Sequence, residues 1–236
     1  ESSKSEATQK VAPAAGQREE KQTPDKPKQA PNDGDYVDAV IDFKGICALT
    51  SSGQVDCVGH HSSFEAADYA PPKAKFTQIT AHSAMCGLLE SGDVTCWKRQ
   101  STGSPETIEG PFVQISQSQF YGCGVTKDGT VACWPEDSTL SGAEPPDGTF
   151  EAVSAGAKTH ACGLRKDGSV VCWGKKGGDD NTLYEIPDGT YTAVDAGKLA
   201  NCAIREDQTV ACWGRSKTAK APDGKFAQIA VDQSAC

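Results

Sequence analysis

Nowhere in these 236 residues do about 18 apolar side chains run together, the length a helix needs to span a bilayer. The sequence therefore offers no transmembrane span. Lys and Arg number 23 against 32 Asp and Glu, a net charge of −9, and the basic residues form no block. Phosphate backbones are held by clustered Lys and Arg, so nucleic acid is not an expected partner. Histidine is scarce too, with His60, His61, His82 and His160 as the only four. A Ser/His/Asp or Cys/His nucleophile would need one of them. His160 belongs to a repeated pattern, and adjacent His60 and His61 point to opposite faces of an extended strand. Asp179-Asp180 follows Gly177-Gly178 but lacks the spaced acidic ligands of a calcium loop. The expectation is a non-enzyme with no catalytic residue, no metal ligand and no cofactor.

Cysteine, by contrast, is abundant: eleven residues, ten of them in pairs one fixed step apart. The pairs are Cys47 with Cys57, Cys86 with Cys96, Cys123 with Cys133, Cys162 with Cys172, and Cys202 with Cys212. Zinc thiolates are the rival reading, but zinc ligands usually stand two to four residues apart within a pair. Nine intervening residues suit a disulfide across a hairpin, and five such pairs imply an oxidising compartment. In the chain-entropy picture a loop this short contributes about 3 kcal/mol.

Glycine places the turn. Gly53, Gly92, Gly129 and Gly168 each stand four residues before the second cysteine, with Asp or Ser ahead, and Gln208 replaces glycine in the last copy. A three-residue loop such as Lys127-Asp128-Gly129 is a type I turn closed by a residue of positive φ. It pairs Thr126 with Thr130, Val125 with Val131, Gly124 with Ala132, and Cys123 with Cys133. A two-residue Asp-Gly loop would put the two sulfurs on opposite faces of the pleat. The first register also sets Leu49 with Val55, Leu88 with Val94, Leu164 with Val170 and Ile204 with Val210 on the cysteine face. Between them stand Ala48, Gly87, Gly124, Gly163 and Ala203. Small sheets with one small-residue face and one aliphatic face suit stacking between neighbours, as propeller blades do.

The hairpin recurs inside a longer unit. An aromatic opens each copy at Tyr36, Phe76, Phe112, Phe150, Tyr191 and Phe226, in steps of 40, 36, 38, 41 and 35 residues. Val or Ile follows three residues later in all but the first copy, where Ala39 stands. Periods of this size mean a solenoid, a propeller or an array. Four short strands per unit are expected: opener, two cysteine strands, and a segment ending at Pro. Residues 1–29 differ in kind, with Val11 as their only large aliphatic residue, and read as a disordered low-complexity tether. The repeat array occupies residues 30–236. With no initiating Met and no signal peptide, the sequence reads as a processed or trimmed chain, and a tether of this type admits a lipid anchor upstream of Glu1.

The unit resembles bacterial members of the RCC1 (regulator of chromosome condensation) repeat family. The fourth copy carries Phe150, Val153, Ala155-Gly156, His160, Cys162, Leu164, Asp167-Gly168, Val170 and Cys172-Trp173-Gly174 at the family's positions. Departures are plain: Gly45, Ala84, Tyr121 and Ala200 replace the histidine, Val58 replaces the first tryptophan, and the Gly-Gln-Leu-Gly loop is absent. The resemblance implies an all-β, RCC1-like β-propeller, here five full repeats plus the start of a sixth. Family rings usually have seven blades, so the expectation is a fragment, or a ring that a partner chain completes. Cys236 takes the first-cysteine position of the sixth unit and is left unpaired.

Function is expected in the loops between opener and first cysteine strand, where Phe43, Met85, Phe120, Tyr121, Lys158 and Leu199 are candidate partner contacts. The leading expectation is an exported interaction module at a bacterial surface, envelope or periplasm, binding a protein or cell-envelope component. One alternative is a structural subunit of an extracellular assembly or fibre. A second is an inhibitor like the secreted bacterial propeller that blocks β-lactamases.

Overall fold

In the computed structural model the described residues are 35–41, 45–59, 71–82, 84–97, 106–135, 144–156, 160–174, 181–215 and 221–231. The tether and Cys236 lie outside them. Each repeat becomes one antiparallel sheet. The first is β1 (Tyr36–Ile41), β2 (Gly45–Thr50) and β3 (Val55–Gly59). The second has four strands, β4 (Phe76–Ala81), β5 (Met85–Leu89), β6 (Val94–Trp97) and β7 (Glu106–Ile108). The third is β8 (Phe112–Gln117), β9 (Gly122–Thr126) and β10 (Val131–Trp134), and the fourth β11 (Phe150–Ala155), β12 (His160–Arg165) and β13 (Val170–Gly174). The fifth is β14 (Tyr191–Ala196), β15 (Ala200–Arg205) and β16 (Val210–Gly214). Among the described residues the fourth strand expected of every unit forms only in the second sheet. Residues 226–231, the opener of the sixth unit, form no strand.

The hairpin register is the three-residue-turn register. Each of the ten cysteines of the hairpins stands directly opposite its partner, and all five pairs are disulfides. The turn glycines Gly53, Gly92, Gly129 and Gly168 have φ of 84°, 95°, 88° and 78°, and Gln208 takes φ 71° in the last copy. The turn carbonyl has a further use. The carbonyls of Gly53, Gly92, Gly129, Gly168 and Gln208 accept the N–H of Phe76, Phe112, Phe150, Tyr191 and Phe226 respectively. Each hairpin turn thus fixes where the next opener begins.

Cross-strand neighbours share a face, so each sheet has two unlike surfaces. One carries the disulfide with Leu or Ile and Val; the other carries the opener's aromatic and the residue three later. In every junction the cysteine face of one sheet meets the opener face of the next. Cys47, Leu49 and Val55 pack on Phe76 and Ile79; Cys86, Leu88 and Val94 on Phe112 and Ile115; Cys162, Leu164 and Val170 on Tyr191. Cys123 and Val125 pack on Phe150 and Val153 in the same way, and Cys202, Ile204 and Val210 on Phe226 and Ile229. The glycine at the middle of three cysteine strands is explained within the sheet. A Cβ on Gly87, Gly124 or Gly163 would stand 2.3, 2.5 or 2.6 Å from the ring of Phe76, Phe112 or Phe150.

Polar contacts repeat across the junctions as well. Gln78 donates its amide to the Ile115 carbonyl and accepts the Ile115 N–H, both at 2.9 Å. Gln114 does the same to Val153 at 3.0 and 2.8 Å. Two residues further along each opener, the hydroxyls of Ser116 and Ser154 accept the N–H of Ala155 and Ala196 at 3.0 and 2.9 Å. Asp195 accepts that of Val231 at 2.6 Å. These bonds give inner backbone groups the partners that burial requires.

Two outcomes are expected. Gly124→Ala drives a methyl into the Phe112 ring and lowers stability by about 1–3 kcal/mol, read as a fall in the urea midpoint. Thiol titration of the unreduced, unfolded protein returns one free group, since five disulfides consume ten of eleven cysteines.

Candidate partner-binding rim

The two ends of the array have different chemistry because the strands alternate in direction. One end gathers the hairpin turns and the Pro-Asp-Gly joints. Asp128, Asp167 and Asp207 there cap their own turns, each accepting the N–H of Thr130, Ser169 or Thr209 two residues on. Hydroxyl donors, Thr126 first for Asp128, then Ser169 and Thr209 for the others, hold all three carboxyls below the usual range. These aspartates are structural.

The other end carries the loops between opener and first cysteine strand. Phe120 in the third sheet's loop is 46% exposed and Leu199 in the fifth sheet's loop is 42% exposed. Both stand three residues before the first cysteine, so the repeat places them on one rim, two sheets apart. Met85 and Tyr121 do not join them, which corrects the sequence expectation. Met85 is 2% exposed because, one residue before the cysteine, it falls in the row Ala81, Met85, Trp97 that faces the first sheet. Tyr121, two before the cysteine, points the other way and is also buried. Phe43 and Lys158 lie outside the described residues, as do His60, His61, Asp179 and Asp180.

Beneath the rim lies a buried polar chain that sequence reasoning did not assemble. The Tyr121 hydroxyl donates to the carbonyls of Gly156 and His160 in the fourth sheet. His160 Nε2 is 2.8 Å from Asn201 Oδ1 in the fifth. Asn201 Nδ2 and Trp213 Nε1 both donate to the Leu183 carbonyl at 3.0 Å, in the 3-10 turn Thr182–Tyr184. Since the Asn201 amide nitrogen faces Leu183, its oxygen faces His160, and the His160 Nε2 carries the proton. Gly156 has to be glycine, because a Cβ there would lie 2.6 Å from the imidazole Cε1. The Ala-Gly before a histidine was the available signal; the pairing with Asn201 had none, since it crosses between repeats.

Burial sets the ionisation of this layer. It pushes the Tyr121 phenol up, with the Ser118 hydrogen bond opposing. It pushes the His160 imidazole down, against the Asn201 bond and with the Arg215 charge adding to the fall. Asp195 is pushed up by burial, partly offset by Ser154 and the Val231 and Ala196 N–H groups. The tryptophans after the second cysteine are wedges between sheets. Trp97, Trp134 and Trp173 sit 5.6, 5.4 and 5.9 Å from the rings of their own openers. Their indole N–H groups find no acceptor among the described residues, whereas Trp213 has Leu183.

A family model for the regulator of chromosome condensation (RCC1) repeat matches residues 150–183, the fourth unit. Solved structures extend the likeness to the other sheets. The CRINKLY WD40 ectodomain of the Arabidopsis thaliana receptor kinase ACR4 is 25% identical, with a TM-score of 0.63 over 80% of this chain and 69% of that one. The architecture is an RCC1-like β-propeller array. The entire ectodomain of the Physcomitrella patens receptor kinase CR4 is 24% identical, with a TM-score of 0.65 over 84% of this chain and 56% of that one. Yeast RCC1 (Prp20), solved with Kap60 bound, is 15% identical, with a TM-score of 0.59 over 76% and 56%. The chain thus spans little more than half the length of the last two, and no curated protein matches it in sequence.

The pH dependence of this layer follows from the lowered His160 pKa. The unfolded chain takes up the proton first, so the His160 contribution is full above about pH 6.5 and is lost as pH falls below it. Asp195 acts oppositely: its raised pKa adds stability in acid that fades as pH rises past about 4. His160→Gln keeps an amide donor toward Asn201 and removes the titration. The expected result is that the wild type loses stability relative to H160Q between about pH 7 and pH 5, measured as urea midpoints across that range.

Proposed function

We propose that this protein is an exported, non-enzymatic interaction module that holds a protein partner on the rim bearing Phe120 and Leu199. The carrying observation is the placement of these two large apolar side chains. They are exposed at equivalent repeat positions on a scaffold whose every sheet is stapled by a disulfide. Apolar side chains on rigid supports make effective contacts because little conformational entropy is lost when a partner covers them.

Export rests on the five disulfides, which persist in oxidising compartments. The likeness to two receptor-kinase ectodomains points the same way, and Prp20 shows a propeller of this type in a protein complex. The site of action in this reading is a bacterial cell surface or envelope, with a protein or envelope component as partner.

The test is capture of a partner from envelope or secreted extracts with the disulfide-intact chain. Phe120→Ser with Leu199→Ser should reduce recovery by about tenfold or more while leaving the melting temperature unchanged. Lys127→Ser, on the turn end, should leave recovery intact. Equal capture by the rim variant would refute the rim assignment.

A further inference from the structure

A short strap, the 3-10 turn Thr182–Tyr184 between β13 and β14, forms one wall of the buried polar layer. Leu183 is buried, and its carbonyl takes two donors, Asn201 Nδ2 and Trp213 Nε1, at 3.0 Å each. The Leu183 side chain packs beside Gly214, where φ is 134°. A Cβ there would stand 3.2 Å from Leu183 Cδ2 and 2.4 Å from the Leu199 carbonyl oxygen. That same carbonyl accepts the Arg215 N–H at 2.7 Å, so the strap and the backbone carrying Leu199 meet at Gly214. Tyr184, the next residue of the strap, sets its ring edge-on to the His160 imidazole with centroids 6.3 Å apart. Gly156, Asn201 and the strap thus enclose His160, which is 1% exposed.

We propose that the strap Thr182–Tyr184 is a proton-operated latch: a second proton on His160 opens it and frees the backbone that carries Leu199. The Nε2–H of the ring is committed to Asn201 Oδ1, so the second proton goes to Nδ1 and charges an enclosed group. The titratable and charged groups around the ring are few. They are the phenol of Tyr121 from the third sheet's loop, the phenol of Tyr184 from the strap, and the Arg215 guanidinium that follows β16. Asn201 on β15, Gly156 after β11, and Gly174 opposite His160 on β13 are uncharged. Arg215 repels an imidazolium, and among the described residues no carboxylate acts on the ring. A buried charge without a counter-charge is strongly disfavoured, so the enclosure gives way at its lightest wall. The strands carrying His160 and Asn201 are stapled to β13 and β16 by disulfides, whereas the strap has two backbone hydrogen bonds of its own, Tyr184 to Asn181 and Glu185 to Thr182. Burial pushes both phenols up and Arg215 keeps its charge, so between pH 7 and pH 5 the layer changes charge at His160. With the ring released at about its ordinary 6.5 and the enclosed ring below it, the open fraction rises in acid by at most about 25-fold over that range. The latch stands or falls independently of what the rim binds.

Hydrogen exchange of the Trp213 indole N–H, followed by NMR on the intact 24.7 kDa chain, tests the latch, because that N–H bonds to Leu183 while the strap is closed. After correction for the intrinsic effect of pH on exchange, its protection should fall by about tenfold or more between pH 7 and pH 5. The turn amides of Gly129 and Gly168, at the other end of the sheets, should keep theirs. His160→Gln should abolish the fall at Trp213. Should H160Q not fold, the imidazole nitrogen shifts of the wild type give a second reading. His160 should be neutral at pH 7 with its proton on Nε2, and should charge only below about pH 6.5. Unchanged Trp213 protection in the wild type overturns the proposal, as does an equal fall in H160Q. An equal loss at Gly129 and Gly168 overturns it too, since that is unfolding of whole sheets rather than release of a strap. So does a His160 already charged at pH 7.

Discussion

The direct cross-strand disulfide is the constraint on which the rest of this structure depends. Two cysteines placed opposite each other on an antiparallel ladder admit one register, and that register decides which side chains share the cystine's face. Once set, it sends the aliphatic residues flanking the cystine toward one neighbour and puts glycine or alanine at the middle of the cysteine strand on the opposite face. The opener's aromatic ring lies in the space the missing side chain leaves. The sheet acquires two unlike surfaces, each complementary to the other surface of the next copy, and stacking follows.

Apolar complementarity alone would let adjacent sheets slide. Backbone and side-chain hydrogen bonds give the junctions a definite offset. The turn carbonyl accepts the next opener's first N–H in all five junctions, and glutamine amides or hydroxyls add further bonds deeper in. Tyr121, His160 and Asn201 form a buried extension of this system under the rim, running from the third sheet to the fifth. Phe120 immediately precedes Tyr121 and Leu199 stands two residues before Asn201, so the proposed contact residues adjoin in sequence a layer that packing and hydrogen bonding hold in place.

Much of this was legible beforehand. The cysteine step and the glycine four residues before the second cysteine together specified the hairpin register and the disulfides. Even the exception at Gln208 sits in the left-handed conformation its position implied. Less legible was the fourth strand. It depends on whether the variable segment after each hairpin meets the outer edge, which Glu106–Ile108 does and the 3-10 turn Thr182–Tyr184 does not. Of the candidate partner contacts, Phe120 and Leu199 are exposed, but Met85 and Tyr121 are buried, because loop and strand cannot be separated to one residue by pattern and each step of one residue reverses the face.

Periodic residue type, then, determined the unit: strand, turn, cystine, and the alternation of faces are local properties that a few neighbouring residues impose. Partnership between units was decided only in three dimensions. His160 with Asn201 and Gln78 with Ile115 concern groups brought together across a junction. Burial and hydrogen bonding at such places depend on which surface arrives opposite, and no stretch of chain carries that information by itself.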